Sequence, residues 1–362
     1  MTTENFRADG AACPSPDRKM KTYNLCLLGF GNVGRALARL LAAKAEETRE
    51  EFGVAWRITS VASRRLGWGV AREGFDVGRL LAGEVASEAS PAPREVREWI
   101  EAARGEVVFE TTSLEPRTGQ PAIDYARAAL ESNAHVVTAN KGTVAHAYAE
   151  LSGLARERGR RFMFEATVAD CLPVFSLFRE CLPAARLSGF RALLNSTTTV
   201  ILEEIERGRT FDEGVERAQL MGIAETDPTY DVDGWDATVK VCALANVLMG
   251  ETLGAEEIER VGIRALDAMH VRAAREEGKP FRLLSRAWRD AGGRLRASVR
   301  PEQLEPGDQF ATLGGSSLAV TFELDVLPGL TVVASAPNLK STAYGLLADF
   351  LNVARDEGKE GR

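Results

Sequence analysis

The chain has 362 residues, too many for one ordinary core and suited to two domains. A net charge of −7 argues against nucleic acid or an anionic membrane surface as the main partner and leaves a small molecule as the natural one. No apolar run approaches a membrane span, so no membrane partner is expected.

Residues 1–20 lack the apolar core of a signal peptide and read as a disordered arm. The first ordered stretch, Tyr23–Leu28, is a short apolar strand that runs directly into Gly29-Phe30-Gly31-Asn32-Val33-Gly34 and then an amphipathic helix. That is the strand, Gly-x-Gly-x-x-Gly, helix order of a dinucleotide site. Gly29 permits the tight turn, Gly31 lets backbone approach a pyrophosphate, and Gly34 lets helix and strand pack closely, with the phosphate at the helix N-terminus.

The next strand, Trp56–Ala62, ends in Ser63-Arg64-Arg65, with no carboxylate where a ribose 2′-hydroxyl is usually gripped. Arginine there can pair with a 2′-phosphate, which favours NADP over NAD. Farther on, the strand Glu106–Glu110 ends in Thr111-Thr112-Ser113, and His135–Thr138 feeds Ala139-Asn140-Lys141-Gly142. Both sets sit at the carboxyl edge of a strand, where ligands of open α/β sheets lie. Strands alternating with helices over residues 21–150 describe a Rossmann-type, doubly wound parallel sheet.

From about Leu151 the pattern changes. Strands at Phe162–Val168, Leu187–Leu194 and Leu318–Asp325, set between longer helical stretches, suggest an α+β substrate-binding and dimerisation domain over residues 151–335. Its sheet could pair with that of a second subunit in a homodimer. An amphipathic helix over residues 341–355 could pack back on the nucleotide domain.

Within that second domain lies a short acidic segment, residues 222–240, which carries Glu225, Asp231, Asp233, Asp236 and a single lysine, Lys240. If a helix begins near Gly234, Asp236 and Lys240 are four apart and share a face, while Asp227-Pro228 and Asp233-Gly234 form turns. Several carboxylates with one lysine suit a substrate bearing an ammonium group. The five cysteines include no Cys-x-x-Cys pair and the three histidines no metal-ligand spacing, consistent with a reduced cytoplasmic chain and no zinc site.

Taken together, the glycine motif, Thr138–Gly142, Phe164–Val168, Leu194–Thr198 and above all Ala224–Lys240 resemble the homoserine dehydrogenase family, in order and at family-like spacing. The resemblance runs from about Tyr23 to Leu351. It implies NAD(P)-dependent interconversion of homoserine and aspartate 4-semialdehyde, on the route to threonine and methionine. By the same resemblance Glu225 and Asp236 hold the substrate ammonium, Thr198 touches substrate, Asp231 lies near the hydroxyl, and Lys240 and Lys141 flank the reacting oxygen. A lysine of lowered pKa could then act as base or relay. The resemblance also implies a monovalent cation, Na+ or K+, held by the Glu165–Leu172 loop through Glu165, Val168, Asp170 and Leu172.

Three departures stand near that site: Asn195-Ser-Thr-Thr-Thr199 for Asn-Gly-Thr-Thr-Asn, Ala334–Lys340 for a glycine-rich loop beside the cofactor, and a glycine-poor Glu165 loop. Two rival readings follow from the residues. One makes Cys171 the nucleophile of an acylating semialdehyde dehydrogenase, and the other makes the chain a dinucleotide-binding sensor without hydride transfer.

Overall fold

A computed structural model describes residues 20–84, 90–91 and 95–360, so the expected N-terminal arm lies outside them apart from Met20. Two sheets carry the chain. The first contains β1 (Lys21–Leu28), β2 (Val54–Ser63), β3 (Gly67–Val70), β4 (Ser90–Pro91), β5 (Val107–Glu110), β6 (His135–Thr138) and β7 (Phe162–Met163), in the order β4-β3-β2-β1-β5-β6-β7. β2, β1, β5, β6 and β7 are parallel, and their buried Val, Ile and Leu runs are what a sheet covered on both faces requires.

The parallel expectation fails at one edge. β3 returns antiparallel beside β2, because the turn ending at Gly67 (φ +72°) reverses the chain at once and leaves no length for a crossover helix, and β4 pairs antiparallel with β3 at the edge. A second correction concerns residues 162–168, expected as a strand of the second domain. Only Phe162–Met163 is extended, and it pairs with β6 as the last strand of the first sheet. Glu165–Thr167 is already a 3₁₀ turn, so the first sheet continues past residue 151.

The second sheet runs β13-β12-β8-β10-β11-β9, from β8 (Leu187–Leu193), β9 (Glu259–Arg260), β10 (Phe281–Arg289), β11 (Leu295–Gln303), β12 (Leu318–Leu324) and β13 (Leu330–Ala334). It is antiparallel except where β9 meets β11. Helices Ser196–Glu206 and Trp235–Leu248 pack against its strands, and the second is buried along most of its length. The C-terminal helix Leu339–Glu360 lies on the first sheet, where Phe350 meets Tyr23 and Phe109 edge-to-face at 5.3 and 5.9 Å.

Candidate active site

A cavity of about 670 Å³ opens at the carboxyl ends of β1, β2 and β5. Its floor is Gly29-Phe30-Gly31-Asn32, with Ser63, Arg64 and Arg65 on one side and Thr111, Thr112 and Ser113 on the other. The three motif glycines do different work. Gly29 sits at φ +99°, and a Cβ there would fall 2.6 Å from the Thr111 carbonyl. At Gly34 a Cβ would fall 2.5 Å from the Gly29 oxygen, so this glycine lets helix Asn32–Ala43 lie against the turn. Gly31 is different, because nothing stands within 4 Å of the position a Cβ would take, and that space is open to a ligand. Gly31 also caps the helix without a side-chain acceptor, leaving first-turn amides for an anion.

Val33 and Gly34 do not line this cavity: Val33 is partly buried and packs against the core of the first sheet. Arg64 and Arg65 are exposed and make no ion pair among the described residues. Sequence reasoning passed over Arg35, Trp68, Pro121 and Tyr125, which also line the cavity. Arg35 follows the motif directly; it donates through one nitrogen to the Leu81 carbonyl, while its buried Nη1 has no partner among the described residues.

Behind the Thr111–Ser113 wall, buried Glu110 accepts from the Thr112 amide at 2.9 Å, from the Thr112 hydroxyl, and from the Thr138 hydroxyl at 2.8 Å. Burial pushes its carboxyl up, against those hydrogen bonds. Asn140 continues the link, receiving the Gly142 amide as cap of helix Lys141–Glu157 and donating to the Thr112 carbonyl at 3.4 Å. The cofactor-side wall and the start of the Lys141 helix are therefore tied together.

Lys141 then meets the second domain. Its Nζ lies 2.9 Å from Asp236 Oδ1, while Lys240 Nζ lies 2.8 Å from Asp236 Oδ2. Helix Trp235–Leu248 begins after Gly234 and places Asp236 and Lys240 one turn apart on the same face. Lys240 also donates to the Leu194 carbonyl at 2.6 Å. The Asn195 amide donates to Asp231 Oδ1 at 2.7 Å and to Asp236 Oδ2 at 3.0 Å.

Burial opposes ionisation of Asp236, yet the two ammonium groups outweigh it and hold the carboxyl well below the usual carboxylate range. For Lys240 burial pulls the pKa down, but Asp236 wins and raises it. A lysine of lowered pKa, expected from the sequence, is thus absent from Lys240 in the ligand-free protein, because its counterion is buried with it. Asp231 and Asp170 are both pushed up, chiefly by burial; the charge of Asp236 adds to the shift of each.

Other expected residues are placed less centrally. Glu225 is exposed on the loop before Thr229–Val232, and its side chain makes no hydrogen bond or ion pair among the described residues. Thr198 is fully buried; its amide donates to Asn195 Oδ1 at 2.8 Å and its hydroxyl to the Asn195 carbonyl at 3.0 Å, so both serve the helix start. Asp233 pairs with Arg264 at 2.7 Å. At the proposed cation loop the two Glu165 carboxylate oxygens accept the Phe175 and Ser176 amides at 2.8 and 2.7 Å. Asp349 accepts the Glu165 amide, and burial pushes its carboxyl up to about 7. Val168 and Leu172 are buried, and Asp170 accepts from Thr342 at 2.9 Å. No cluster of metal-binding side chains occurs among the described residues.

The Cys171 rival loses ground: burial and the adjacent Asp170 push its thiol up, and no histidine hydrogen-bonds to it. Among the described residues no helix is long and apolar enough to cross a membrane.

Comparison with known proteins bears on the family of the chain. The homoserine dehydrogenase family model matches residues 173–351, and the model for the NAD-binding domain of homoserine dehydrogenase matches residues 29–165. An NAD(+)-dependent homoserine dehydrogenase of Pseudomonas canavaninivorans is 35% identical over 342 residues, covering 92% of this chain and 97% of its own. The crystal structure of a homoserine dehydrogenase from Thiobacillus denitrificans superposes with a TM-score of 0.80 at 29% identity, over 94% of this chain and 74% of that one. A hyperthermophilic archaeal homoserine dehydrogenase in complex with NADPH gives 0.78 at 28% identity, over 93% and 98%.

Proposed function

The chain belongs to the homoserine dehydrogenase family, and we propose that it interconverts L-homoserine and L-aspartate 4-semialdehyde with NAD(P), NADP being preferred. The observation that carries this reading is the convergence of Lys141 and Lys240, from different parts of the chain, on the one buried carboxylate of Asp236. The 670 Å³ cavity suits the cofactor, since Gly31 leaves room for a pyrophosphate and the arginines at the end of β2 have no other ion-pair partner among the described residues. When bound, the nicotinamide accepts or gives the hydride.

The protein's own residues handle charge and the proton. If Asp170, Asp231 and Asp236 are all ionised, three carboxylates face the ammonium groups of Lys141 and Lys240, one positive charge short. An ammonium on the substrate completes the balance. Asp236 is its first ligand in this reading. Glu225 would be the second, provided its exposed loop closes over the ligand, and Asp231 lies near the hydroxyl. Sharing Asp236 with the substrate weakens its hold on Lys240 and moves that lysine back down, toward a pKa useful for taking the hydroxyl proton. In the reverse direction the charged lysines stabilise the developing oxyanion and return the proton.

A monovalent cation at the Glu165–Leu172 loop would rest on backbone carbonyls, with Glu165 already accepting two amides. No proton step runs through it. A homodimer through the second sheet and residence in the cytoplasm complete the proposal; the exposed Val333 on edge strand β13 and the absence of disulfides among the described cysteines support them. NAD as the working cofactor is the second reading, favoured by the name of the Pseudomonas relative.

Mixing the protein with NADP or NAD and following reduced nicotinamide on addition of homoserine tests the reading. The rate should depend on homoserine and be higher with NADP; no homoserine-dependent rate with either cofactor would overturn it.

A further inference from the structure

Among the described residues Asn195 is the uncharged side chain that hydrogen-bonds to both Asp231 and Asp236. It is 3% exposed and stands at the junction of β8 and helix Ser196–Glu206. Its Oδ1 accepts the Thr198 amide at 2.8 Å as the helix cap. That bond fixes which way the amide faces, because a flipped side chain would set an NH₂ against an N–H. Nδ2 is therefore aimed at the carboxylates, and its two hydrogens match two acceptors at 2.7 and 3.0 Å.

We propose that Asn195 is a positioning residue for the reaction assigned above: by donating to Asp231 and Asp236 together it sets the spacing of the two carboxylates, and through Asp236 the placement of both lysines. The inference rests on that assignment for its catalytic meaning but not for its geometry. Without the amide the two acids would face one another across a gap with nothing neutral between them, and like charges so placed push one another toward protonation. Asp236 Oδ2 accepts from Lys240 and Asn195 together, so movement of one partner displaces the other. The helix cap and the carboxylate bridge use different atoms of the same amide, which makes them separable by substitution.

Asn195→Ser keeps a cap acceptor of similar quality and removes the bridge, whereas Asn195→Asp keeps the cap and adds a carboxylate beside the other two. In Asn195→Ser, kcat/KM for homoserine should fall on the order of 10-fold or more while the nicotinamide KM stays put. In Asn195→Asp, the acid limb of the oxidation pH profile should move up, since one more negative charge strengthens the hold on the Lys240 proton. Wild-type kcat/KM in the serine variant, or an unmoved limb in the aspartate variant, would reduce Asn195 to a helix cap. The contact is also readable without turnover: urea midpoints of Asn195→Ser, Asp231→Ala and the double variant should be non-additive, and additivity would overturn the bridge. If the unmodified protein oxidises no homoserine, the assigned function fails, while the urea cycle still decides the bridge.

Discussion

Around the cavity at the ends of β1, β2 and β5, the groups that face a ligand are main-chain amides, glycines and exposed arginines without ion-pair partners among the described residues. Around Asp236 the arrangement is reversed: side chains dominate, nearly everything is buried, and the two lysines are matched to one carboxylate. The cavity is held open by what glycine lacks. The cluster is held together by what its partners neutralise. Damage to the cavity should therefore appear in cofactor parameters or in local backbone strain, and damage to the cluster in turnover and global stability.

The largest effect is expected at Asp236. In Asp236→Asn two buried ammonium groups lose their counterion, which should cost about 3–5 kcal/mol of stability and lower kcat/KM on the order of 100-fold or more. The pH dependence follows from the shifts. The depressed Asp236 carboxyl contributes stability above the ordinary carboxylate pKa of about 4 and loses it as pH falls through its lower folded value. The raised Lys240 contributes stability below the ordinary lysine pKa of about 10.4 and loses it only as pH rises through its still higher folded value. The stability gap between wild type and variant, measured by urea unfolding, should be flat between about pH 5 and 9 and shrink below about pH 4. A gap that changes through neutral pH would mean that another group carries the difference.

Next in size is a pair of alanine substitutions in the cavity floor. Gly29→Ala forces a left-handed conformation and a methyl 2.6 Å from the Thr111 carbonyl, so it should lose at least about 1–3 kcal/mol and lower the melting temperature. Gly31→Ala meets nothing in the free protein and should melt within a few degrees of wild type, yet raise the NADP KM on the order of 10-fold because the methyl occupies ligand space. Equal melting temperatures for the two variants, or an unchanged KM in Gly31→Ala, would break the distinction drawn between these glycines. Smaller again is Arg64→Ala, which should erase about 10- to 100-fold of preference by weakening NADP alone, the worth of a charged contact of about 1.5–3 kcal/mol. Equal loss with NAD would show that Arg64 serves the cavity generally.

The two regions also differ in how far they could be read from the sequence. The glycine turn is local, its six residues next to one another between a strand and a helix, and spacing alone places it. The Asp236–Lys240 face is local too, once Gly234 starts the helix. What brings Lys141 to Asp236 is the docking of one helix on another across 95 residues of chain, and no periodicity records that. The role of Asn195 is not legible in the sequence, because a helix cap accounts for it until folding places the carboxylates of residues 231 and 236 beside it. The β10–β11 hairpin was missed because arginines interrupt its apolar residues, as in Phe281-Arg-Leu-Leu-Ser-Arg-Ala-Trp-Arg289; the partly buried Arg286 pairs with Glu302 on the neighbouring strand. The β3 strand was missed because Gly67-Trp-Gly69 has turn composition, and only its pairing with β2 and β4 extends it. The raised pKa of Lys240 depends on burial of the whole cluster, which the order of residues does not state.

Steady-state kinetics of Lys240→Ala test the central claim most directly, because that lysine lies in the cluster and contributes nothing to the cavity wall. The expected result is a fall in kcat for homoserine oxidation on the order of 100-fold or more, with the NADP KM unchanged within about twofold. Wild-type turnover in this variant, or a loss confined to NADP affinity, would contradict the account.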